Sequence, residues 1–120
     1  MHNKTVKIRL SRAVLSFLDG SGVGQCPATR NPEAACSQRC SDDAHDFYRQ
    51  VLAAPNRKDG SVTVVVGKEG LKSLDSYAGA MAAGAADNVG YEDWALGELN
   101  AARGLLRQID KVWQEVVVNA

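Results

Sequence analysis

Three features of the chain predict an α+β fold: two short alternating segments that match each other, helical stretches after each, and a long C-terminal heptad pattern. Val6-Lys7-Ile8-Arg9-Leu10-Ser11, continuing to Leu15, Leu18 and Asp19, aligns without gaps on Val62-Thr63-Val64-Val65-Val66-Gly67, continuing to Leu71, Leu74 and Asp75. Each copy reads as a strand, a capping position and an amphipathic helical turn. A repeat of that kind predicts paired antiparallel strands packed against helices. At 120 residues the chain is one domain, 1–120, with strand–helix repeats at 4–19 and 61–87, a polar loop at 20–41 and a long helix at 92–118.

The first strand is expected over Thr5–Leu10, with Val6, Ile8 and Leu10 on one face and Thr5, Lys7 and Arg9 on the other. Ser11 then offers a hydroxyl to cap a helix carrying Val14, Leu15, Phe17 and Leu18, which ends in the glycines of Gly20-Ser21-Gly22-Val23-Gly24. These glycines follow a helix and open a loop, the wrong context for a phosphate cradle. The segment 20–41 is polar and contains Cys26, Cys36 and Cys40. A short helix is predicted over Asp43–Ala53, its acidic start suited to the helix dipole. The second strand, Ser61–Val66, carries valine at four of its six positions and is expected to be the more buried of the two.

A third helix is expected from Lys68 to about Asp87. Its middle, Ala78 to Ala86, is almost all small residues, and Gly79 and Gly84 there predict close approach by a neighbouring helix backbone. From about Glu92 to Val118, Ala95, Leu99, Ala102, Leu106, Ile109, Trp113 and Val116 recur at spacings of four and three, a heptad seam. Such a helix would reach roughly 40 Å, against about 30–35 Å for a globule of this size. The helix is therefore expected to overhang, to bend or to find cover in a second chain, lying against the alanine-rich helix or against its own copy in a dimer. Trp94, Leu99, Leu106, Ile109, Trp113 and Val116 are then the partner or oligomer interface.

Net charge is zero but divided: residues 1–68 hold ten Lys or Arg against six acids, and residues 69–120 hold four against eight, giving +4 and −4. This excludes a uniformly basic nucleic-acid binder and leaves a local patch of Lys4, Lys7, Arg9 and Arg12. No apolar run approaches ~20 residues, so no membrane span is expected. Three cysteines cannot all pair within one chain, and the N-terminus lacks the apolar run of a secretory signal. Both point to a cytoplasmic protein.

Cys26, Cys36, Cys40 and His45 form the one constellation with metal-ligand chemistry, since three thiols and an imidazole can hold a structural zinc. The intervals lack the tight CxxC knuckle, and the competing expectation is no cofactor, with reduced cysteines in a loop. No nucleophile–base arrangement accompanies them, so no catalytic residues are assigned and an enzyme is not expected.

Thr5-Val6-Lys7-Ile8-Arg9-Leu10 followed by a capped helix resembles the opening of a ribbon-helix-helix repressor, over about fourteen residues. The resemblance implies that paired strands place their polar faces in the DNA major groove, with Thr5, Lys7 and Arg9 as the DNA contacts. In that family a second helix follows the first closely, whereas here the 20–41 loop intervenes. In the second copy, Thr63 and Val65 stand where Lys7 and Arg9 stand in the first.

The functional expectation is a small intracellular, non-enzymatic binding protein acting through protein–protein contacts, as an adaptor, accessory subunit or inhibitor of a host or defence factor, and forming a homodimer. A ribbon-helix-helix-like DNA-binding regulator is the alternative. A binder of a small molecule or nucleotide at a repeat or dimer interface is the third.

Overall fold

The structure, a computed structural model, describes residues 4–21, 23, 42–55 and 58–119. Strand β1 (Val6–Leu10) leads into helix α1 (Arg12–Gly20), and α2 (Asp42–Ala53) precedes β2 (Val62–Val66). Helix α3 (Lys68–Asn88) follows at once, and α4 (Ala95–Trp113) continues into a π-helical turn, Gln114–Val118. The fold is thus α+β: among the described residues it has four helices and one two-stranded antiparallel sheet. No described helix is long and apolar enough to cross a membrane.

The strands pair with Ile8 opposite Val64 at the centre, Val6 opposite Val66 and Leu10 opposite Val62. Alternation sends Ile8, Leu10, Val64 and Val66 into the core and leaves Lys7, Arg9, Thr63 and Val65 exposed. The two strands are therefore equally buried. The expectation of a more central β2 fails at Val65, which is 45% exposed. A sheet of two strands has no centre, and the fourth valine simply occupies its outer face.

Each strand has one outer edge, and a helix glutamine bonds one residue on each. The Arg9 N–H donates to Gln108 Oε1 at 2.9 Å, while Gln108 Nε2 donates to the Arg9 carbonyl at 2.8 Å. On the other edge the Val65 N–H donates to Gln50 Oε1 at 2.8 Å, and Gln50 Nε2 donates to the Val65 carbonyl at 2.7 Å. A side-chain amide thus satisfies the groups that a third strand would otherwise take.

The C-terminal seam finds its cover within the chain. Leu71, Leu74, Ala78, Met81 and Ala85 form a buried stripe along α3 at spacings of three and four. They face the buried Ala95, Leu99, Ala102, Leu105 and Ile109 of α4 in a long helical hairpin. Of the covers expected for this seam, the alanine-rich helix α3, 21 residues long, supplies one within the chain. Gly79 and Gly84, however, do not mark a close helix approach. Both are exposed, and a Cβ added at either would meet nothing within 4 Å.

Local chemistry accounts for the element ends. Ser11 caps α1, its hydroxyl accepting from the Val14 N–H at 3.5 Å. Gly60, before β2, adopts φ +73° beneath the Arg12 side chain, a backbone conformation open to glycine at little cost. Tyr48 of α2 donates its hydroxyl to Asp19 at the end of α1, tying the two helices. The core joins both strands to all four helices through Ile8, Leu10, Leu18, Phe47, Tyr48, Val64, Leu71, Leu105 and Ile109.

Helix α2 packs against β2 and α3, while α4 packs against β1 and α1. The expected repeat is not established as a unit of structure, because α1 has nine residues and α3 has 21. The strands themselves are paired symmetrically about Ile8 and Val64.

Candidate nucleic-acid interface

The ladder geometry fixes what the open face of the sheet presents. Arg9 and Val65 direct their N–H and C=O groups outward to the two glutamines, so Arg9–Thr63 and Lys7–Val65 are the non-hydrogen-bonded pairs. Such pairs bring Cα atoms to about 4.5 Å, closer than their hydrogen-bonded neighbours. Lys7 therefore stands beside Val65 and Arg9 beside Thr63, in two adjacent rows. Thr5 is exposed just before β1, across from Gly67. The structure thus gathers Thr5, Lys7 and Arg9 on one open face and adds Thr63 and Val65, which strand alternation alone identifies.

Cations flank both ends of this ribbon. At one end lie exposed Lys68 and Lys4, the latter 3.4 Å from Glu115 in an exposed ion pair. At the other lie exposed Arg12 and Lys58. Arg9 is oriented by the β2 side: its Nε donates to Ser61 Oγ at 3.2 Å and its guanidinium pairs with Asp59. The Asp59 carboxyl is held down at about 2, chiefly by the Ser61 N–H at 2.9 Å and the Ser61 hydroxyl at 2.8 Å, and further by Arg9. Beside this cluster is an open cleft of about 310 Å³ lined by Arg9, Arg12, Asp59, Leu105 and Gln108.

The other predicted site residues separate. Leu99, Ile109 and Val116 are buried in the domain's own core, and Leu106 and Trp113 pack partly buried against it. Of the six interface candidates Trp94 alone is exposed, at 48%, on the turn between α3 and α4. It is accompanied there by exposed Val89, Tyr91 and Leu96.

Cys26, Cys36 and Cys40 lie outside the described residues. His45 is described and buried, packed edge-on against Phe47, with its Nε2 3.4 Å from the Tyr77 hydroxyl. Burial lowers its pKa from the ordinary 6.5, so the neutral imidazole is the native form. Among the described residues, no group of three or more His, Cys, Asp or Glu is placed to hold a metal ion.

No protein-family model matches the chain, and none of the curated proteins or solved structures compared with it matches either.

Proposed function

We propose that the protein is a DNA-binding regulator that presents its two-stranded ribbon to the major groove. The observation that carries this is the uncovered polar face of the sheet, where Thr5, Lys7, Arg9, Thr63 and Val65 project together. The major groove, about 12 Å wide, admits a two-stranded ribbon. Each outer edge is occupied at one residue by a helix glutamine, at Arg9 on β1 and at Val65 on β2, whereas the side chains of the face are exposed. The resemblance of about fourteen residues from Thr5 onward to a ribbon-helix-helix opening supports the same reading. So does the order strand–helix–helix, which runs twice among the described elements.

Phosphate contacts would come from the flanking cations Lys4, Arg12, Lys58 and Lys68. Four such contacts would give a slope of log affinity against log salt of about −3.6. The test is fluorescence anisotropy with random-sequence duplex at low salt and through a salt titration. Binding that falls with this slope, and that a Lys7→Ala, Arg9→Ala variant loses, supports the proposal. Absence of binding at low salt disposes of it.

A second reading, protein capture without catalysis, rests on the exposed apolar turn Val89, Tyr91, Trp94 and Leu96. Aromatic residues exposed together are the usual anchors of such contacts. The buried Leu99, Ile109 and Val116 no longer contribute to it. A Tyr91→Ser, Trp94→Ser variant that keeps its fold and every pulled-down partner would remove this reading.

A further inference from the structure

We propose that the duplex site read by the ribbon is non-palindromic, with a guanine-bearing half under β1 and a thymine-rich half under β2. The inference rests on the DNA-binding reading above. It follows from the register of the ladder. Val6 to Val62 and Leu10 to Val66 are both 56 positions apart, and Ile8 lies opposite Val64. A two-fold axis through the Ile8–Val64 pair therefore exchanges Lys7 with Thr63 and Arg9 with Val65.

In a dimer of identical chains those exchanged positions would be the same residue, and the face would match a DNA dyad. Here they are chemically opposite. Lys7 and Arg9 carry donors and positive charge, suited to the O6 and N7 acceptors of guanine. Val65 offers only methyl groups and Thr63 a methyl beside a hydroxyl, suited to the C5-methyl of thymine. All four residues are exposed on one face, and the edge contacts from Gln50 and Gln108 hold both strands in this register. The backbone is symmetric while the chemistry it displays is not, so one orientation on the duplex is favoured over its reverse. Ser61 and Asp59 add to the asymmetry, since they orient the Arg9 guanidinium from the β2 side.

The experiment is selection of the 120-residue chain on a randomised duplex library, followed by sequencing of the bound fraction. A non-palindromic motif is expected, with affinity falling about fivefold or more for each changed base pair in either half. A Thr63→Lys, Val65→Arg variant makes the face symmetric and is expected to convert the motif into a palindrome of the guanine-bearing half. Both positions face solvent, and a circular dichroism melt checks that the variant is folded. A palindromic motif for the unmodified chain, or an unchanged motif for the folded variant, overturns the asymmetry while leaving DNA binding intact. No enrichment at low salt overturns the DNA reading together with it.

Discussion

Gln50 and Gln108 do the same work on opposite edges of one ribbon, each amide bonding both backbone groups of a single strand residue. Their partners, Val65 and Arg9, are the positions that the strand symmetry exchanges. Gln50→Ala or Gln108→Ala leaves one N–H and one C=O to water at an exposed edge. Each is expected to lower stability by about 0.5–1.5 kcal/mol. Urea unfolding of the two single variants and the double variant checks this, with near-additive losses expected because the edges share no partner.

Gly79 and Gly84 sit in the exposed surface of α3 with open space where a Cβ would go. Gly79→Ala and Gly84→Ala are expected to stabilise the protein by about 0.5–1 kcal/mol each, through helix propensity. A rise in Tm for both variants, and a larger one for the pair, is the outcome to look for. A fall at either position would mean that something packs there after all.

Ile109 is fully buried between α4 and the rest of the core, while Leu106 beside it is only partly covered. Ile109→Ala is expected to cost about 2–5 kcal/mol and Leu106→Ala distinctly less. Denaturant midpoints of the two variants measure the difference. Equal costs would contradict the orientation of α4.

His45 gives stability a pH dependence of definite sign. Its folded-state pKa is lowered by burial, so between the folded value and 6.5 the unfolded chain binds the extra proton. Its contribution is therefore complete above pH 6.5 and is lost as pH falls below it. Urea midpoints recorded from pH 8 to pH 5 should decline, and a folded His45→Gln variant should show a flatter profile.

Asp59, held down at about 2, stays ionised at every pH where the protein would meet DNA. It therefore keeps one negative charge beside Arg9 throughout. If the ribbon binds duplex, Asp59→Asn is expected to tighten that binding at low salt, with an anisotropy titration as the measurement. Weaker binding would mean that the aiming of Arg9 by Asp59 outweighs its repulsion of phosphate.

Much of this architecture was legible in the residues. Period-two alternation marked both strands, and heptad spacing marked α4 almost to its ends. The partner of the α4 seam stayed open between α3 and a second chain because the facing stripe of α3 runs into alanines, whose apolar signal is weak against the glycines between them. Val65 misled because valine favours a strand whether its face is buried or open. The sequence groups His45 with Cys26, Cys36 and Cys40, which lie outside the described residues, and its placement on the inner side of α2, against Phe47 and Tyr77, gave no signal there. Gln50 and Gln108 gave no signal at all, since a glutamine on a helix surface is ordinary until the strand beside it is known. The open ribbon face was the most readable part of the candidate site: Thr5, Lys7 and Arg9 followed from alternation alone.

The bond between Arg9 and Gln108 spans 99 positions of the chain. During synthesis the N-terminal strand therefore emerges long before the residue that seals its outer edge. Until α4 is made, β1 has its outer N–H and C=O groups open to any neighbouring strand, including one from another nascent copy. A chain interrupted before α4 would carry an unguarded edge. The order in which these elements are made thus exposes the Arg9 edge to other strands before α4 can cover it.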